Sequence, residues 1–127
     1  APIRRALAEA GQTQLVLTFF KGSVWGWTVH DFEETVQRRV DEADPFDQAV
    51  QDFTHSVLAP AQDVDVDGQG RVRIPQVLRE LGGIDKEVVV HSVSRRLEIW
   101  DRQTWEARFR QSLDRVAVSN GMPGRVG

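Results

Sequence analysis

The sequence repeats itself after 73 residues, and this repeat constrains the fold more than any other feature. An apolar helical stripe recurs at that offset, with Phe32, Val36 and Val40 followed by Trp105, Phe109 and Leu113. The same offset relates Trp27 to Trp100, and residues 15–17 to residues 88–90. Amphipathic helices resemble one another, so chance similarity is the alternative. The shared aromatic positions favour a duplicated unit of strand, short helix, hairpin and helix.

Hydrophobic periodicity predicts the elements of this unit. Apolar residues three and four apart predict helices over residues 28–40, 45–58, 76–81 and 102–115. Alternating residues predict two hairpins, one across Gly68 and Gly70 and one turning at residues 94–95. Gly82 and Gly83 are expected to end the short third helix, and Asp101 to cap the last one.

Charge is distributed unevenly in a chain of ordinary composition. The 127 residues are 40% hydrophobic and 28% charged, with no cysteine and a net charge of −3. No apolar run is long enough for a transmembrane helix, so no membrane partner is predicted. Residues 41–67 carry acidic side chains and no Lys or Arg, whereas basic residues exceed acidic ones in residues 71–110. Any binding of nucleic acid therefore requires a local basic patch, although charge runs are usually solvated faces.

The acidic stretch before the first glycine hairpin resembles a calcium loop. Asp63, Asp65, Asp67 and Gly68 match the pattern D-x-D-x-D-G. An EF-hand requires a bidentate Glu at the twelfth position, where Ile74 stands, and its flanks should be helical rather than alternating. We therefore predict no metal site here.

The basic strand of the same hairpin fits a negatively charged ligand. Arg71 and Arg73 share one face of the predicted strand because alternate side chains point the same way. A two-stranded ribbon can enter the major groove of DNA, where guanidinium groups bind phosphate or guanine. Gln69 at the tip can pair with adenine or phosphate. The alternative is a plain hairpin in which Asp65 and Asp67 neutralise the two arginines.

Motifs of enzymes are missing from the sequence. There is no G-x-S-x-G, P-loop or H-E-x-x-H pattern. Paired carboxylates are common in the sequence, but none of them is flanked by the apolar burial that would raise its pKa for acid–base work. We therefore predict that the protein is not an enzyme, and that it uses no cofactor and no small-molecule substrate.

Residues 63–106 carry a series of motifs in a fixed order. They begin with D-x-x-x-R at residues 67–71 and continue with IP, LRE, KEVVV and LEIWD…WE. This series resembles the second half of the MraZ family, bacterial transcriptional regulators of the division and cell-wall gene cluster that are built from two AbrB-type halves. RRAL and LVLT in the first copy extend the resemblance to nearly the whole chain.

The resemblance implies an α+β fold, namely a duplicated AbrB-like double-split β-barrel with a mostly β core and helices. It implies a ring-shaped homo-oligomer, cytoplasmic and associated with the nucleoid, that binds double-stranded DNA at direct repeats in promoters. The implied DNA-binding residues are Asp67, Gln69, Arg71 and Arg73. Two alternatives belong to other classes: an AbrB-like antitoxin that binds a toxin and DNA, and a structural ring without DNA binding.

Four parts of the chain are expected on this basis. Residues 1–31 form the first SpoVT-AbrB-like half, residues 32–60 the connecting helices, residues 61–104 the second half, and residues 105–127 a C-terminal helix and mobile tail. Ala1 aligns with Gln76, so the first half lacks its leading hairpin. We expect the intact gene product to carry that hairpin upstream of Ala1; the alternative is that the protein starts at Ala1.

Overall fold

A computed structural model of the protein describes residues 14–118. The mobile tail, the upstream hairpin and the short helix predicted for the first copy fall outside these residues. Within them, none of the helices combines the length and apolar character needed to cross a membrane.

Five strands form one antiparallel sheet in the order β3-β1-β2-β5-β4. The strands are β1 (Gln14–Phe20), β2 (Ser23–Thr28), β3 (Gln62–Asp65), β4 (Val88–Val93) and β5 (Arg96–Asp101). The predicted α+β class, with a β-rich core and helices, is confirmed. Among the described residues the outer strands β3 and β4 do not pair with each other, so the sheet is open rather than closed into a barrel.

The 73-residue offset recurs in the geometry of the two hairpins. β2 and β5 begin and end one repeat apart, at residues 23–28 and 96–101. The preceding turns contain Lys21 and Ser94, also one repeat apart, and both have positive φ angles, of 47° and 54°. Tight hairpin turns need such angles to follow the twist of the strands.

The helices that follow the hairpins begin in the same way. The hydroxyl of Thr28 accepts a hydrogen bond from the amide of Asp31, and the carboxylate of Asp101 accepts one from the amide of Thr104. Both are N-caps, in which a side-chain oxygen satisfies an unpaired amide of the first turn. The cap predicted at Asp101 is therefore confirmed.

Within residues 14–118, four helical segments pack around the sheet. α1 (residues 29–42) consists of Val29–Phe32, a π-helical turn over Glu33–Gln37, and Arg38–Glu42. α2 (residues 48–58) consists of Gln48–Phe53 and a π-helical turn over Thr54–Leu58. α3 (Gln76–Leu81) has the predicted bounds, and α4 (Arg102–Val118) runs slightly beyond its predicted end.

The predicted start of α2 at Pro45 is wrong. The helix begins at Gln48, because the carboxylate of Asp47 accepts a hydrogen bond from the amide of Ala49 and caps the helix there. Phe46 consequently lies before the helix and is 87% exposed.

The first predicted hairpin is only partly formed. β3 pairs with β1, from Gln14 opposite Asp65 to Leu17 opposite Gln62. The return segment forms an isolated bridge, between Val66 and Val72, rather than a strand. An edge strand is more stable when it extends an existing sheet than in an isolated ribbon, and β1 offers that sheet.

Two apolar clusters lie on opposite faces of the sheet. On one face, Leu78 of α3 packs on strand residues, together with the apolar residues of the first hairpin. The strand residues of this cluster are Leu15, Leu17, Val24, Leu97 and Ile99. On the other face, α1 and α2 cover Val16 and Trp27. The sheet therefore separates the glycine hairpin and α3 from α1 and α2.

A buried hydrogen bond joins α2 to the sheet. The hydroxyl of Thr18, on β1, is fully buried and donates to the carbonyl of Val57 in the π-helical turn of α2. The amide of Ala59 bonds back to Thr54 rather than to the nearer carbonyl of helical spacing. This wider turn and the Thr18 hydroxyl fix the position of the helix end.

Replacing Thr18 by Val should therefore lower the free energy of unfolding by about 1–3 kcal/mol, because a buried carbonyl loses its partner while the shape is kept. Urea denaturation measures the change. Thr54→Val is the control: its hydroxyl bonds to the carbonyl of Val50, which keeps a backbone donor, so about 0.5 kcal/mol or less should be lost. Equal losses in the two variants would contradict the role assigned to Thr18.

Candidate nucleic-acid interface

The turn between residues 67 and 71 is organised by the carboxylate of Asp67. One oxygen, Oδ1, accepts hydrogen bonds from the amides of Gln69 (2.9 Å) and Arg71 (2.8 Å). The other, Oδ2, accepts one from Nε of Arg71 (3.1 Å). The backbone closes the turn through the amide of Asp67 and the carbonyl of Arg71. The D-x-x-x-R spacing thus has a local physical reason, since one carboxylate holds both the loop and the arginine.

Gly70 allows the chain to turn this tightly. Its φ angle is 79°, in the region that favours glycine, and its amide donates to the carbonyl of Asp67 at 2.9 Å. The turn therefore depends on the identity of residue 70 as well as on the two charged side chains.

These hydrogen bonds lower the pKa of the Asp67 carboxyl. The bond from the backbone amide of Arg71 is the largest cause, and the amide of Gln69 and the guanidinium of Arg71 act in the same direction. The carboxylate is consequently ionised at neutral pH and serves only as an acceptor.

The guanidinium of Arg71 is held by an ion pair at Nε, while most of the side chain is exposed. The ion pair with Asp67 uses Nε, although 73% of the arginine side chain is exposed. The two Nη nitrogens carry four further N–H donors. A guanidinium fixed through Nε can direct these donors at phosphate or at the O6 and N7 atoms of guanine.

An open groove with a volume of about 800 Å³ runs beside the turn. Four cationic side chains line it against two carboxylates: Arg71, Arg73, Arg79 and Lys86 against Asp67 and Asp85. The apolar and uncharged lining residues are Val72, Ile74, Pro75, Gln76, Ile84 and Val88. Although the chain is acidic, this surface has an excess of positive charge.

The end of α3 positions the far wall of the groove. Leu78 is fully buried and fixes the helix on the sheet. The amide of Gly83 bonds to the carbonyl of Glu80, and the amide of Ile84 to that of Arg79. This is a Schellman end, and Gly83 has the positive φ angle (62°) that it requires. The chain reverses there and brings Lys86 to the same groove as Arg79.

The structure brings together three of the four predicted binding residues. Asp67, Arg71 and Arg73 line the groove, whereas Gln69 is exposed at the tip of the turn. Arg79 and Lys86 were not among the predicted residues. The glycine pair at 82–83 indicates that the chain reverses direction between these two residues. Their place in the groove depends on long-range packing, which the local sequence does not show.

The calcium-like stretch of residues 63–68 makes hydrogen bonds within the protein. Two of the carboxylates in the calcium-like stretch are engaged: Asp65 accepts a hydrogen bond from the side chain of Gln14, and Asp67 holds the turn. Between residues 14 and 118, no group of His, Cys, Asp and Glu side chains is arranged to hold a metal ion.

Comparisons with known proteins agree on one family. Residues 57–122 match the family described as "MraZ protein, putative antitoxin-like". The chain is 33% identical over 103 residues to "Transcriptional regulator MraZ" of Maridesulfovibrio salexigens, covering 81% of this chain and 68% of that protein. It is 36% identical over 111 residues to the protein of the same name from Nitratidesulfovibrio vulgaris, covering 87% and 72%. A third, from Acetivibrio thermocellus, is 47% identical over 64 residues, covering 50% and 45%.

The turn should respond to pH through Asp67. A carboxyl with a lowered pKa stabilises the folded turn above the ordinary aspartate value of about 3.9, and this contribution is lost as the pH falls through the lower folded value. The amide resonances of Gln69 and Arg71 in NMR spectra should therefore shift together, with a midpoint below about 3.9. In Asp67→Asn the shared transition should disappear. A midpoint at or above the ordinary value would contradict the hydrogen bonding described.

Proposed function

This chain belongs to the MraZ family, and from that premise we propose that it regulates transcription by binding double-stranded DNA through the turn of residues 67–73 and the adjoining groove. The relatives that it matches over most of its length are named as transcriptional regulators. The proposed action is binding rather than catalysis, and the proposed place of action is the nucleoid in the cytoplasm.

One observation carries the proposal: the Asp67 carboxylate fixes Arg71 through Nε while most of its side chain is exposed. A guanidinium positioned in this way loses little further conformational freedom when it binds a planar or tetrahedral acceptor. Arg73, Arg79 and Lys86 line the same groove. We assign Arg71 and Gln69 to the edges of bases or to phosphates at the tip, and the other three cations to the backbone.

The proposed target is a set of direct repeats in the promoter of the division and cell-wall gene cluster, bound by a ring-shaped homo-oligomer. A single turn offers few cations, and the net charge of the chain is −3. Repetition of the turn around a ring lets neighbouring subunits bind successive repeats together. The second binding event is then intramolecular, so the combined affinity exceeds that of one turn.

Two other functions give different results in the same experiments. An antitoxin, the class named in the family description, would also bind a toxin. Substitutions outside the groove would then change the affinity for that toxin. A structural ring would show no salt-dependent affinity for duplex DNA, whereas binding through phosphates weakens as counterions compete.

Replacing Arg71 by Ala should weaken DNA binding in a way that reveals which part of the DNA it binds. If Arg71 binds phosphate, affinity falls for every sequence, and the slope of log affinity against log salt shrinks by about 0.9 for each phosphate that an engaged subunit no longer neutralises. If it reads guanine, preference at one base pair falls roughly tenfold or more while the slope changes less. Fluorescence anisotropy with wild-type and altered repeats, at several salt concentrations, measures both quantities.

Arg38→Ala is the matched control. Arg38 also forms an exposed i,i+4 ion pair, with Glu34 at 3.1 Å, but it lies on α1, across the sheet from the groove. This variant removes the same charge and should leave the slope and the base preference unchanged. If Arg71→Ala and Arg38→Ala behave alike, the turn has no part in binding DNA.

A further inference from the structure

The last helix presents an apolar stripe that the described residues leave half exposed. Trp105 packs on Trp100 and His91, with ring centroids 5.8 Å and 4.2 Å apart. One and two turns further along α4, Phe109 and Leu113 are 48% and 52% exposed. An aromatic and an aliphatic residue in line on a helix usually mark a contact surface.

The first copy of the repeat shows how this stripe is covered when it is complete. Phe32 and Val36 of α1, one repeat before Trp105 and Phe109, are only 8% and 6% exposed. They lie in one cluster with Phe53 and Leu58 of α2. The two equivalent helices therefore differ in how they are covered: α2 packs over α1, whereas no described residues form such a layer over α4.

A polar group shows the same difference. Thr18 of β1 donates its hydroxyl hydrogen bond to Val57 of the covering helix. His91 of β4 stands one repeat later, and its buried Nε2 atom has no hydrogen-bond partner among residues 14–118. Apolar exposure and an unsatisfied polar atom thus occur together on the side of the second copy that residues 14–118 leave uncovered.

The charges of α4 indicate the chemistry of its partner. Arg110 and Arg115 form no ion pair with another described residue. A partner that covers the stripe should therefore bring carboxylates and an apolar side chain. A second α4 fits less well, because each α4 carries four arginines against only Glu106 and Asp114, so pairing two such helices would bring net positive surfaces together.

The corner between α1 and α2 has the complementary composition. Residues 41–52 contain acidic side chains and no Lys or Arg, and none of the carboxylates forms an ion pair with a described residue. These carboxylates belong to Asp41, Glu42, Asp44, Asp47 and Asp52. Phe46 projects from the middle of this corner with 87% of its surface exposed.

We propose that α4 of one copy packs against the corner of residues 41–52 of a second copy, with Phe46 entering the stripe of Trp105, Phe109 and Leu113. The two surfaces differ, so the interface is heterologous, and a pair of subunits retains one unused surface of each kind for further neighbours. Such interfaces build rings when the rotation closes. The inference deepens the proposed assembly and requires no DNA, so its failure and a failure of DNA binding are distinguishable.

Two single variants and their mixture test the interface by light scattering without DNA. Phe46→Asp and Phe109→Asp should each remain folded by circular dichroism and each be monomeric, because every interface needs both surfaces. When they are mixed, one intact corner meets one intact α4, and a 1:1 dimer with twice the 14.4 kDa mass of the chain should form. The wild-type protein should form larger assemblies.

Val118→Asp is the matched control for a new charge on α4. Val118 is 87% exposed and lies on the opposite side of the helix from Trp105, given about 3.6 residues per turn. It should assemble like the wild type. Should Phe109→Asp fail to fold, Arg110→Glu with Arg115→Glu replaces it as the partner of Phe46→Asp. A monomeric wild type, unimpaired assembly of Phe46→Asp, or monomers in the mixture would each overturn the proposal.

Discussion

The pairing of β2 with β5 is the constraint on which the rest of the structure depends. These strands belong to different copies of the repeat, and they meet through Val24 opposite Ile99 and Gly26 opposite Leu97. Residue 26 is tightly enclosed, because a Cβ atom there would lie 2.8 Å from Cδ2 of the buried Leu17 and would force that side chain to shift. The pairing of β2 with β5 joins two local hairpins into one sheet, and the two faces of the sheet then carry separate apolar clusters.

The position of the basic groove follows from that junction. The chain leaves the first hairpin through α1 and α2 on one face, pairs β3 with the outer side of β1, and crosses the other face on its way to β4. The crossing segment contains the Asp67 turn and α3, and Leu78 ties it to the strands of both copies. The arginines are thus displayed by a segment that is packed on the joined sheet, although the turn itself is exposed.

Features set by neighbouring residues could be predicted from the sequence, whereas those set by distant ones could not. The bounds of α3, its glycine end and the cap at Asp101 depend on local hydrogen bonds, and they agree with the structure. The repeat was readable because Trp27 and Trp100 occupy the same place in each hairpin. The pairing of β3 with β1 and the convergence of Lys86 on Arg79 depend on the sheet junction. The predicted start of α2 was wrong for another reason: hydrophobic periodicity does not locate helix caps, and Asp47 caps this helix so that it begins at Gln48.

We propose that the turn of residues 67–71 touches DNA, and site-directed disulfide cross-linking tests this contact most directly. The chain has no cysteine, so Gln69→Cys introduces a single thiol at the tip of the turn. Glu33→Cys, exposed on α1 across the sheet, provides the comparison. With duplex repeats that carry a tethered thiol in the major groove, the account predicts a covalent adduct for Gln69→Cys and none for Glu33→Cys. An equal yield from both positions, or adducts from Glu33→Cys alone, would contradict it.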